Sequence, residues 1–167
     1  TNGQFGILPL IAGTLAVTAL ALLIGIPTGV GCALFLAEIT GEKTARIFRS
    51  AIELLAGIPS VVYGFFGLVI LVPVIRNVFG GSGFSIIAGG IILAVMILPT
   101  IVSISANSIS SVPSEFREAS LSLGADRRET IMKVILPAAK SGIFSSVILG
   151  MGRAIGETMA VLLITGN

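Results

Sequence analysis

Residues 7–37 carry no charged side chain, and this run is longer than one crossing of a bilayer needs. A membrane helix takes about 20 apolar residues. Three further apolar runs come after it, at residues 54–75, 84–105 and 141–164. The chain is 54% hydrophobic and 11% charged, whereas a soluble domain carries about 25% charged residues. A water-soluble fold of 167 residues could not hide so much apolar surface. The expectation is an all-α transmembrane protein with about four spans.

The polar residues sit in the connections. Lys43, Arg46 and Arg49 follow the first run, and Arg117, Arg127, Arg128, Lys133 and Lys140 follow the third. Between the second and third runs only Arg76 is basic. The positive-inside rule places the two basic connections in the cytoplasm, and the chain then begins and ends on the far side. The net charge of +2 and its distribution are those of membrane topology signals and exclude a nucleic-acid face. With no histidine and one cysteine, a Cys/His metal site is excluded, and no cofactor is expected. Cys32 reads as a small packing residue. The chain lacks an initiator Met and a charged segment ahead of its first apolar run. It is therefore expected to be a piece of a longer protein, 1–167 forming one incomplete transmembrane domain, with no cleavable signal.

The first run is long enough to need a tilt or a break, and Gly25-Ile26-Pro27 is the expected break. Residues 22–28 (LLIGIPT) resemble residues 54–60 (LLAGIPS). Matched helix breaks are one reading of this, but nothing around the two heptapeptides continues the match, and chance is preferred. Gly41-Glu42-Lys43-Thr44 lacks the glycine loop of a Walker A motif, so ATP must be bound by another subunit.

The segment 110–137 is the most informative. Pro113-Ser114-Glu115-Phe116 reads as a helix start with an acid in the first turn. Phe116, Ala119, Ser120 and Leu123 recur at helical spacing, and Gly124 reads as the stop. Asp126, with Glu129 three residues on, reads as the cap of a second helix. The product is a short amphipathic helix, a glycine turn and a helix entering the membrane. Such a helix suits a groove on a partner, and the rival reading is a helix lying on lipid.

Glu118-Ala119-Ser120, Gly124 and Val134-Ile135-Leu136-Pro137 closely resemble the EAA signature of ABC importer permeases. Ser120 and Val134 stand where that family usually has Ala and Ile. The resemblance implies a type-I ABC importer permease (MetI-like) helix bundle, here partial, with cytoplasmic coupling helices. It implies that the 110–137 loop docks on a separate ATP-binding cassette ATPase subunit. Glu118, Ala119 and Gly124 are the positions carried over for that coupling.

Arg153 and Glu157 lie in the fourth run, four residues apart, on one face if the helix is continuous. Charges at this depth face a bundle interior or a water-filled path. They are either a mutually satisfied staple or a pathway site at which an arginine meets an anion. Residues 152–160 (GRAIGETMA) and 57–64 (GIPSVVYG) are similar to signatures of the phosphate importer permeases of the PstC and PstA type, the carboxyl end being closer to PstC. That resemblance implies a multi-pass subunit of the inner membrane. It would work with a second related permease subunit, an ATPase pair and an external phosphate-binding protein, and would itself be no enzyme. A planar guanidinium fork matches phosphate oxygens, but other oxyanions such as molybdate or sulfate present similar ones. A passive channel or scaffold would not need the loop spacing. An intramembrane protease would need a Ser-His dyad or membrane aspartates that the chain does not have.

Overall fold

The computed structural model describes residues 7–80, 82, 83 and 85–165. Among these residues all regular secondary structure is helical. Helix α1 spans Ile7–Leu34 and continues as a π-helical turn, Phe35–Ile39. Helix α2 is Glu42–Ala56, α3 Ser60–Phe66, and α4 Val72–Phe79, with a π turn at Gly67–Leu71 joining the last two. Helix α5 is Ile86–Ser110 and α6 is Ser114–Ser122. Helix α7, Arg127–Thr130, runs through the π turn Ile131–Ile135 into α8, Leu136–Gly156, and α9 is Met159–Thr165.

Among the described residues four helical runs are long and apolar enough to cross a membrane: Ile11–Ile39, Ser60–Val78, Ile86–Ser110 and Arg127–Gly156. The number agrees with the apolar runs, but the boundaries differ, most at the start of the second and at both ends of the fourth. The second span starts at Ser60, six residues after the expected 54, because Gly57-Ile58-Pro59 separates α2 from α3. Proline offers no N–H and pushes the residue before it out of helical geometry. The freed residues 54–56 complete α2, whose apolar residues Ile47, Phe48 and Leu54 stay exposed. The fourth span begins within the polar segment, at Arg127, and stops at Gly156.

The expected break at Gly25-Ile26-Pro27 is absent, since α1 passes through Pro27 as a helix. Apolar packing along a membrane helix tolerates one lost hydrogen bond when the groups around it are re-satisfied. The departure from α geometry comes about two turns later, in the Phe35–Ile39 turn. The two similar heptapeptides therefore differ in structure, one inside a helix and one between helices, as chance similarity would have it. Cys32 is exposed, which corrects its reading as a packing residue.

The other two π turns have a local cause. Gly67–Leu71 and Ile131–Ile135 each end just ahead of a proline, Pro73 and Pro137. A proline ring clashes with the carbonyl four residues back, and a widened turn relieves the clash. The i→i−5 bonds of Val72 to Gly67 and of Leu136 to Ile131 are that widening.

The chain divides into two compact units. Of the described residues, the first comprises those up to 25, those in 58–97 and those from 151 on, and the second residues 26–57 and 98–150. In the first, Val72, Ile75, Ala88 and Ile164 form a buried cluster. In the second, Ala33, Leu36, Val102, Ala106, Ile109, Ile135 and Ala139 do so. Here α5 and α8 meet through small residues, as membrane helices do when packing rather than hydrophobicity drives them together. The Ser105 and Ser146 hydroxyls hydrogen-bond at 2.8 Å, both fully buried. At Gly142 a Cβ would lie 2.5 Å from Ser108 Cβ, so the close approach depends on glycine.

Candidate functional site

Two groups of sequence-marked residues come together, one in each unit. The first is the loop between α5 and α8. Pro113, in extended backbone, precedes α6, and Glu115 lies in the first turn. At the other end Gly124 adopts φ +86°. The Gly124 N–H donates to the Leu121 carbonyl at 3.0 Å, and the Ala125 N–H to that of Ser120 at 3.2 Å. This bond pair is a Schellman stop, which satisfies two of the helix's last carbonyls and turns the chain. The Asp126 carboxylate then accepts from the Glu129 N–H at 2.6 Å, and Glu129 Oε2 accepts from the Asp126 N–H at 3.3 Å. These form the expected capping box at the start of α7.

The loop is held shut from within. Ser120 is buried, and its hydroxyl meets that of Thr130 at 2.9 Å. Its departure from the usual alanine thus adds a bond between α6 and α7. Glu118 and Ala119 are exposed. Phe116, Ala119, Ser120, Leu123, Ala125 and Val134 line an open apolar groove of about 300 Å³. The four helical-period positions of the sequence therefore do share one side. Phe116 and Leu123 remain largely exposed on it.

The second group lies where α3, α8 and α9 meet. Arg153 is in the last turn of α8 and half-buried. Tyr63 is buried. Glu157 does not share a helix with Arg153. The helix stops at Gly156, residues 157 and 158 are non-helical, and Glu157 Oε1 accepts from the Ala160 N–H at 3.1 Å. The carboxylate thus serves a free donor in the first turn of α9. The one-face reading of the two charges is corrected on this point. Beside them Gly64 approaches α9 so closely that a Cβ would lie 2.9 Å from Ala160 Cα. Residues 58–64 and 152–160, two separate signatures in the sequence, are packed together here.

Residues 25–167 match the model of a family described as binding-protein-dependent transport system inner membrane component. The chain belongs to this family. It is 50% identical to the probable ABC transporter permease protein YqgH of Bacillus subtilis (strain 168), covering 100% of this chain and 54% of that protein. The phosphate transport system permease protein PstC of Mesorhizobium japonicum is 38% identical, over 98% of this chain and 56% of that protein. PstC 1 of Mycobacterium tuberculosis is 39% identical, over 99% and 55%. The chain spans about half the length of the curated relatives it matches. Membership in this inner-membrane family agrees with the four apolar helices and with the MetI-like, all-α fold expected from the EAA signature.

Sequence reasoning missed two participants. Tyr63 was visible only as part of the 57–64 signature. Glu38, whose side chain meets Arg117 of α6, had one available signal: it is the first charge after a long uncharged run.

Proposed function

We propose that this chain is the core of a transmembrane permease subunit of an ATP-driven phosphate importer. The observation that carries the reading is the packing of residues 58–64 on α9, where Gly64 meets Ala160 and Leu163. Both segments resemble phosphate-permease signatures, and relatives named PstC are similar along nearly the whole chain. In this reading the 110–137 loop docks on a separate ATP-binding cassette subunit through the face bearing Glu118 and Ala119, with Gly124 setting its angle. A second related permease completes the path, and an external binding protein delivers the anion. Closure of the ATPase pair moves the loop, and the membrane helices alternate access to a site that includes Arg153. A guanidinium offers paired donors to a phosphate at a cost low enough for the ion to leave again. Glu157 holds the start of α9, and so the wall that Tyr63 and Gly64 pack against.

The test is uptake by the full-length protein, assembled with its ATPase in proteoliposomes, with radiolabelled phosphate, molybdate and sulfate offered in turn. Phosphate uptake alone is expected. A charge-assisted hydrogen bond is worth about 1.5–3 kcal/mol, so Arg153→Met should slow uptake by roughly ten- to a hundredfold. Arg153→Lys keeps the charge, loses the fork and should recover only part of that. Glu157→Gln keeps an oxygen for the Ala160 N–H and should assemble normally. Wild-type phosphate uptake by Arg153→Met would rule out a pathway role for that residue. Preference for another oxyanion would replace phosphate as the substrate.

A further inference from the structure

We infer that Glu38 is a strut through which movement of the coupling loop reaches the first membrane span; this rests on the importer reading. Its position comes from how α1 ends. The last turn, Phe35–Ile39, is π-helical, and Thr40 then leaves helical geometry at φ −88°, ψ 140°. The last carbonyls of a helix have no donor within it and need one from elsewhere. Glu38 meets that need with an arginine: its main-chain carbonyl accepts from Arg127 Nη2. Its carboxylate Oε1 accepts from a second arginine, at Arg117 Nη2. These partners are 89 and 79 residues away in the chain, so local folding does not bring them together. Arg117 immediately precedes Glu118 on α6, and Arg127 opens α7. Two cations on either side of the Gly124 turn therefore converge on one residue of the first span.

The widened turn aims the side chain. In a continuous α-helix one residue of register turns a side chain by about 100°. A π turn inserts that residue, so side chains within it and beyond it leave the α register, and Glu38 is the fourth residue of this one. No proline succeeds this turn, unlike the other two, so the ring clash that explains those does not explain it. The Glu38 side chain is 8% exposed and that of Arg117 29%. A charge pair so shielded resists separation, because pulling it apart leaves a charge stranded in a poorly solvated place. Apolar contacts between α1 and the loop segment, such as Leu36 in the cluster with Val112 and Ile135, can slide. The paired charges fix direction as well as distance.

The experiment uses the full-length protein with its ATPase in a Cys32→Ser background. Its first readout is ATP-dependent labelling of Leu8→Cys, an exposed residue near the start of α1. Its second is phosphate moved per ATP. Allosteric couplings are commonly worth about 5- to 150-fold, and Glu38→Gln, Arg117→Met and the double Glu38→Met/Arg117→Met should each lower both readouts by about tenfold. The double variant should regain the wild-type unfolding temperature, because neither charge is then stranded. With Leu8 left unsubstituted, bridging Glu38→Cys/Arg117→Cys with a short bifunctional thiol reagent should restore phosphate moved per ATP, and this holds as the deciding measurement if the single variants fail to assemble. Recovery of coupling by the unbridged double Met variant would reduce the pair to a packing feature and overturn the strut. So would failure of the bridge to restore it. If the wild type shows ATP-dependent labelling and moves no phosphate, the substrate reading falls and the strut stands.

Discussion

Gly124 offers a clean measurement of how much the loop's shape contributes to coupling. Its φ of +86° lies where L-residues are strained, and a Cβ added there would meet nothing within 4 Å. Within this chain any effect of substitution therefore comes from backbone strain and not from crowding. Placing an alanine in this region costs about 1–2 kcal/mol. That lowers the population of the closed turn by roughly 5- to 30-fold. Valine should cost more, since its branched Cβ narrows the allowed backbone further. Asparagine should cost least, as it visits this region most readily after glycine. The Schellman bonds from Gly124 to Leu121 and from Ala125 to Ser120 are what the strain opposes. Phosphate moved per ATP should fall in the order Gly, Asn, Ala, Val, while the subunit stays in the membrane and retains its ATPase. Gly31→Ala is the control, because that site is helical, equally open and without positive φ. A well-expressed Gly124→Val that couples like Gly124→Asn would refute the reasoning.

The same geometry fixes three further outcomes. Gly142→Ala places a Cβ 2.5 Å from Ser108 Cβ and should lower stability in detergent by about 1–3 kcal/mol; Ser108→Gly on top of it should return part of the loss, and strict additivity would contradict the close approach. Ser120→Ala removes the bond to Thr130, whose hydroxyl still reaches the Asp126 carbonyl at 2.9 Å, so thermal unfolding should show a loss of about 1 kcal/mol with coupling intact. In a Cys32→Ser background a membrane-impermeant thiol reagent should label Ser82→Cys from outside and Ser122→Cys only from inside; labelling of Ser122→Cys from outside would reverse the orientation.

The loop was legible because its chemistry is local. Pro113, Gly124 and the Asp126–Glu129 pair each do what their residue types do within a few positions, and the structure has all three in those roles. Span number was legible because apolar run length is a bulk property. Span edges were not. Gly25-Ile26-Pro27 and Gly57-Ile58-Pro59 share the same breaking residues, and only the second breaks. The difference is that the first has an apolar membrane helix on both sides, whereas the second separates an amphipathic helix from a span. The Arg153–Glu157 spacing misled for a related reason: a four-residue interval means one face only while the helix lasts, and it ends at Gly156. Glu38 was invisible because nothing within 79 residues states its side chain's partner.

The three π turns among the described residues bear on the candidate sites together. One redirects Glu38, one leads into the Leu136-Pro137 end of the EAA-like segment, and one begins at Gly67, in the same helical run as Tyr63. At Phe35–Ile39, which no proline follows, regular helix would have been the lower-cost choice, since a π turn is a rare departure from the α-helical bond pattern. Proline explains two of them locally. It does not explain why residues of interest flank all three. In a membrane protein whose helices are otherwise uniform apolar rods, side chains can be re-aimed only where the helical period slips. Such a slip places the Glu38 charge, whereas Arg153 stands in the regular last turn of α8. Deleting Ala37, which lies ahead of Glu38 in the turn, would restore the α period there. It would swing Glu38 away from Arg117 without removing either charge.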